Sequence, residues 1–178
     1  MTNNKHIALL VLLLLSFSAC QFASFTERPG VIVKSYPEPM YGTYQHIEKS
    51  NGVSDTHTLV VSAAGASIND GAISRIVNLS DSNNTLSHLG DFYYMNVKES
   101  DSTGKYTYFV YPFEYDAKHI YIYKILLSKK SIKHMQKAGL HISTRQTGEY
   151  VMDNMAFKKY VEKHMKRKDA IKFNKINK

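Results

Sequence analysis

The chain has 178 residues, 43% of them hydrophobic and 21% charged, which suits one globular domain able to bury a real core. A single cysteine excludes an internal disulfide framework and every CxxC metal or redox motif. The net charge of +8 is uneven: 124–178 carries 15 Lys/Arg against 4 acids, 20–123 carries 7 against 11, and Lys5 supplies the remainder. Such asymmetry predicts either an acidic partner for the tail (phosphate, anionic lipid headgroups or nucleic acid) or a solvated helix face.

Residues 1–6 are short and polar, with Lys5 as the positive residue. Nine apolar residues follow (IALLVLLLL, 7–15). That is the length of a signal-peptide core and short of the roughly 20 residues that span a bilayer. Ser16, Phe17, Ser18 and Ala19 then lead to Cys20. This order of basic, apolar and small residues ending at a cysteine resembles the lipobox of bacterial prolipoproteins, with Phe17 standing where Leu, Val or Ile is usual. The resemblance implies a signal peptide over 1–19, cleavage between Ala19 and Cys20, and a diacylglyceryl group on the Cys20 sulfur. It places the protein in the bacterial cell envelope, joined to a membrane through that lipid. Each buried acyl methylene contributes about 0.8 kcal/mol, so several chains hold a domain nearly permanently. Gln21, in place of the Asp that favours inner-membrane retention in enteric bacteria, fits the outer membrane. The rival readings are an ordinary secretory signal cut near Ala19 and a retained anchor helix.

Residues 20–40 hold three of the four prolines and alternate small with polar side chains, which predicts a tether with one short strand near 31–34. From Tyr41 the pattern has period two. Strands are predicted over 41–48, 56–62, 73–79, 92–98, 106–115 and 120–127, separated by Gly-, Asn- and Asp-rich turns. In DFYYMNVKE, Phe92, Tyr94 and Asn96 share one face and Tyr93, Met95 and Val97 the other. Both faces are substantially apolar, so this strand belongs in a sheet covered on both sides or closed on itself. Pro112 requires an edge, a bulge or a strand end. The expectation over 41–127 is an antiparallel β-meander, with closure into a small barrel as one way to hide its edges. YGTY (41–44) resembles the Gly-x-Trp opening of lipocalin-like barrels, with Tyr44 in place of the tryptophan. LGDFYYMNVKE and GKYTYFVYPF are similar to blocks of small bacterial envelope lipoproteins, a likeness that implies no activity.

Residues 128–170 change character. Ile132, Met135 and Ala138 fall at helical spacing ahead of Gly139, a fitting C-terminal cap. Stretches 140–144 and 149–152 flank a turn, and Asp153 caps a second helix with Phe157, Tyr160, Val161, His164 and Met165 along one stripe. The fold class is therefore α+β: a meander followed by a basic helix–hairpin–helix part, packed on it or appended to it, with 171–178 as a frayed tail.

No recognisable catalytic motif emerges. The histidines at 6, 46, 57, 88, 119, 134, 141 and 164 form no HExxH or His-x-His pair, and SAAGAS (62–67) lacks the spacing of a nucleophile elbow. Of the acids that could pair for glycoside chemistry (Asp91, Glu99, Asp101, Glu114 and Asp116), most sit at predicted turns. No metal, cofactor or nucleic-acid partner is expected. The tyrosines at 93, 94, 106, 108, 111, 115, 121 and 123 could stack on sugars or line an apolar pocket, or simply build the sheet core. The sequence thus predicts a non-catalytic, lipid-anchored envelope protein with a binding or scaffolding role. An anionic envelope component would meet Lys158, Lys159, Lys166, Arg167 and Lys168. A lipocalin-like carrier of a small apolar ligand is the second reading, and an envelope enzyme the third.

Overall fold

The computed structural model describes residues 22–50, 52–69, 74–100, 103–144 and 149–176. The expected signal peptide over 1–19 and the expected lipid-attachment residue Cys20 lie outside them. Among the described residues, thirteen strands join one sheet, mostly antiparallel, that curls into a half-barrel and carries two helices. The strands are β1 (Ser24–Phe25), β2 (Val31–Val33), β3 (Gly42–Ser50), β4 (Val53–Ser62), β5 (Gly65–Asn69), β6 (Ser74–Asn78) and β7 (Asn84–Leu89). They continue with β8 (Phe92–Ser100), β9 (Tyr106–Tyr115), β10 (His119–Ile122), β11 (His141–Thr144), β12 (Glu149–Val151) and β13 (Ile171–Lys175). The helices are α1 (Lys129–Ala138) and α2 (Asn154–His164).

The sheet is more than the predicted meander. β3–β4–β5–β6 forms one meander and β7–β8–β9–β10 another, and β13 lies between them, antiparallel to both β10 and β3. Over 171–175 the expected frayed tail is therefore a structural strand. Ile171 and Phe173 alternate inward from it, Phe173 only 3% exposed, and a fully buried Phe contributes about 2 kcal/mol. The sheet runs across position 128: β11, β12 and β13 belong to the same sheet as the strands before them.

The expected tether is overturned over its described residues. β1 is wedged between β9 and β12, parallel to β12, and Ala23, Phe25, Tyr36 and Met40 are buried. The prolines misled because Pro37 and Pro39 serve a 3-10 turn, Glu38–Met40, that delivers Met40 into the core. Gly30 admits the chain beside β7. Its φ is +71°, and a Cβ there would meet the His88 carbonyl oxygen at 2.3 Å.

Pro112 lies inside β9, opposite Tyr94, rather than at its end. Its carbonyl accepts from the Tyr123 N–H at 2.9 Å, so its own nitrogen faces the same way, toward the place where the neighbour of β9 changes from β1 to β10. No ladder donor is missed at that exchange.

Two cores result. One fills the space between sheet and helices, with Phe25, Tyr94, Val110, Tyr123, Met135 and Phe157. The other fills the concave side, with Tyr36, Met40, Tyr44, Leu59, Phe113 and Phe173. β8 serves both: Phe92 and Tyr94 belong to the first, while Tyr93 and Met95 pack against the second. Asn96 is fully buried, and its amide nitrogen donates to the Ser87 hydroxyl at 3.0 Å and the Thr85 carbonyl at 3.2 Å, fixing β7 against β8.

Candidate functional site

The helices present the basic residues outward for local reasons. In α1 the Ser128 and Ser131 side chains cap reciprocally: the Ser131 N–H donates to Ser128 Oγ at 3.0 Å and the Ser128 N–H to Ser131 Oγ at 2.8 Å. Gly139 ends the helix at φ +105°, and the Leu140 N–H returns to the Met135 carbonyl at 3.0 Å. Met135 is thereby turned into the core, leaving Lys130, Lys133 and Lys137 on the outer side. In α2 the Asp153 carboxylate accepts from the Ala156 N–H at 2.8 Å, and Ala156, Phe157, Tyr160 and Val161 are buried. The apolar stripe fixes the rotation of α2 and turns Lys159 and Lys163 outward.

Where the helices meet, the His134 and His164 rings stack at 4.0 Å between centroids and 11° between planes. They form part of the wall of a cleft of about 190 Å³ completed by Lys137, Ala138, Lys159 and Lys163. A shallower depression lies beside it, lined by Met155, Lys158, Lys159, Glu162 and Lys163. Lys159 and Lys163 border both, so the basic surface is continuous. Among the described residues Lys137, Lys159 and Lys163 have no ion-pair partner, whereas Lys158 is paired with Glu162 at 2.9 Å. Burial pushes the His164 imidazole below its ordinary value, and His134, Lys163, Lys166 and Lys130 add to the effect. Three ammonium groups and two imidazoles thus converge with no carboxylate among the cleft-lining residues. Like charges one turn apart, as at Lys159 and Lys163, weaken a helix slightly, so α2 gains no stability from the pair. Chemically the cleft suits a compact anion such as a phosphate group.

A second polar cluster lies at the β9–β10 hairpin. Arg167 donates to Glu114 at 2.8 Å, approaches Asp116 at 3.7 Å and lies over the Tyr121 ring at 4.7 Å. Tyr123 donates to Glu114 at 2.5 Å, and His119 Nδ1 meets Asp116 at 2.9 Å. Burial raises the Glu114 carboxyl, but the hydrogen bonds from Arg167 and Tyr123 outweigh it and hold the group below the usual range. Asp116 is likewise held low: burial opposes this, and hydrogen bonds from the Lys118 backbone and His119 prevail. Both carboxylates are ionised at neutral pH and already occupied by donors. The cluster clamps the 3-10 turn Arg167–Asp169, which follows α2, onto the sheet and so delivers β13. Among the described residues no three His, Cys, Asp or Glu side chains gather as a metal site.

The structure places the five basic residues singled out in the sequence in different surroundings. Lys159 lies in the cleft, Lys158 is tied to Glu162, Lys166 donates to the Glu162 carbonyl at 3.1 Å, Arg167 serves the clamp, and Lys168 is exposed on the 3-10 turn. Sequence reasoning missed His134, Lys137, Lys163 and His164. The one available signal was His164, a polar residue on the apolar stripe of α2, which marks the contact with α1. Ala19 and Cys20 lie outside the described residues. Of the clustered tyrosines, Tyr94, Tyr121 and Tyr123 are buried while Tyr106 is 52% exposed beneath Lys98.

The chain matches no protein-family model, and no curated protein or solved structure is significantly similar to it.

Proposed function

We propose that this protein is a lipid-anchored component of the bacterial cell envelope, without catalytic activity, that docks a phosphate-bearing envelope component in the cleft between α1 and α2. The observation that carries the reading is the convergence of Lys137, Lys159, Lys163, His134 and His164 without an internal counterion. The apolar run and small residues ahead of Cys20 support export and lipid attachment, and Gln21 fits the outer membrane. In this reading residues 128–170 act as a helix–hairpin–helix layer that presents the cleft, and the half-barrel is its support. The carrier reading draws little from the concave side, which Tyr36, Met40 and Phe113 fill, with Tyr36 and Phe113 stacked at 6.0 Å.

The test is titration of the chain from Cys20 onward with phosphatidylglycerol vesicles, with neutral vesicles and with cell-wall sacculi, at low and high salt. The expected result is salt-sensitive binding to the phosphate-bearing surface, weakened by about tenfold or more in Lys137→Gln/Lys159→Gln/Lys163→Gln. Binding that ignores salt, or survives the triple substitution, overturns the cleft. Lipid attachment has a separate check: Cys20→Ser abolishes metabolic labelling with a fatty acid, and labelling that persists in that variant overturns it.

A further inference from the structure

The described fold begins two residues after Cys20 and begins inside the sheet. Phe22 forms a β-bridge with Leu126, the Ala23 N–H donates to the Ile125 carbonyl at 2.9 Å, and Ala23 is buried. Two residues of chain span at most about 7 Å, far less than an acyl-anchored domain needs to swing clear of the headgroups. The seam at this point is apolar. Phe22 is 36% and Leu126 37% exposed, and the Phe22 ring lies 6.3 Å from that of Tyr111. Lys124, Lys129 and Lys130, close to Leu126 in the chain, are all exposed. An apolar strip with lysines beside it matches the layering of a membrane interface, where apolar side chains enter the acyl boundary and ammonium groups meet the headgroups.

We infer that the domain lies directly against the bilayer through the Phe22–Leu126 seam, with Lys124, Lys129 and Lys130 at headgroup level. The inference rests on the lipid-anchor reading of Cys20 and commits to a lipid surface as what covers the seam. The sheet then has a fixed attitude to the membrane, set by the short connection and by the seam together.

The chain contains no tryptophan, so a single introduced one reports without background. Leu126→Trp, Phe22→Trp and Val53→Trp are made in the chain from Cys20 onward and coupled through the Cys20 thiol to a maleimide lipid, in phosphatidylcholine vesicles with brominated acyl chains. This coupling does not depend on cellular lipidation, and neutral lipid leaves the basic cleft idle. Val53 is the control: it is 61% exposed on β4, the fourth strand from β9 across the sheet. The expected result is loss of about half the emission, with a blue shift, for Trp at 126 and 22 and no change at 53. Equal quenching at all three positions, or none at 126, overturns the inference. Inserting about twelve Gly/Ser residues between Gln21 and Phe22 separates affinity from dragging. Quenching at 126 that survives the insertion supports the seam, and quenching that disappears overturns it. If fatty-acid labelling fails in cells while the coupled protein is quenched, the anchor reading falls and the seam stands; the converse pair of results sinks the seam alone.

Discussion

The Arg167 clamp and the cleft between the helices use the same kind of charge for opposite ends. In the clamp, one guanidinium is met by Glu114 and Asp116 and by the face of Tyr121. In the cleft, Lys137, Lys159 and Lys163 line one space with no carboxylate among the residues that border it. Arg167 and Lys159 are eight positions apart, and nothing in their local sequence tells them apart. Satisfaction separates them: a cation with internal partners holds the fold, and one without them is available to a ligand.

Four changes would break or sharpen this contrast. The largest effect is expected from Phe173→Ala, on the strand the clamp delivers, with a loss of about 3 kcal/mol in denaturant unfolding. Next comes Arg167→Ala, which leaves Glu114 short of a donor and uncovers Tyr121, for about 2 kcal/mol. If the clamp acts by placing β13, the double variant loses less than the sum of the two. A thermal series in pH tests the carboxylates. Glu114 and Asp116 are held low in the fold, so their contribution is complete above their unfolded values near 4 and is lost as pH falls below that. Arg167→Ala should flatten this acid limb. His164 behaves differently. Its value is depressed, so protonation below about pH 6.5 costs stability, and a bound phosphate should reduce that loss. The smallest effect is expected in the cleft itself: Lys137→Gln/Lys159→Gln/Lys163→Gln changes unfolding free energy by less than about 0.5 kcal/mol. A loss as large as that of Arg167→Ala would show that the cleft lysines are structural.

The sequence displayed the long strands and both helices because their signals are local. Alternation in 92–98 and 106–115, the Ser128 and Asp153 caps and the Gly139 stop all act within a few residues. Short strands that depend on distant partners were invisible. β1 is two residues long and exists only because β9 and β12 receive it. β7 (NTLSHL) carries Ser87, buried at 0%, whose polarity hides an inward position. β5 falls in the stretch between 62 and 73 expected to be turns, because Gly65 and Ala66 carry little side chain. The candidate site failed for the same reason. Lys159 could be picked out as basic, but the meeting of His134 with His164 depends on how α1 crosses α2, which no local pattern encodes.

The position of β13 has a consequence for how the molecule is made. It follows every other described element in the chain, yet among the described residues it alone joins the two four-stranded meanders. A chain emerging from its N-terminal end can form each meander by local pairing, but the continuous sheet must wait for 171–175 to arrive. Native assembly is therefore a late, long-range closure of high contact order and slow on that account. Until it happens β3 and β10 present unpaired edges, open to capture by other chains.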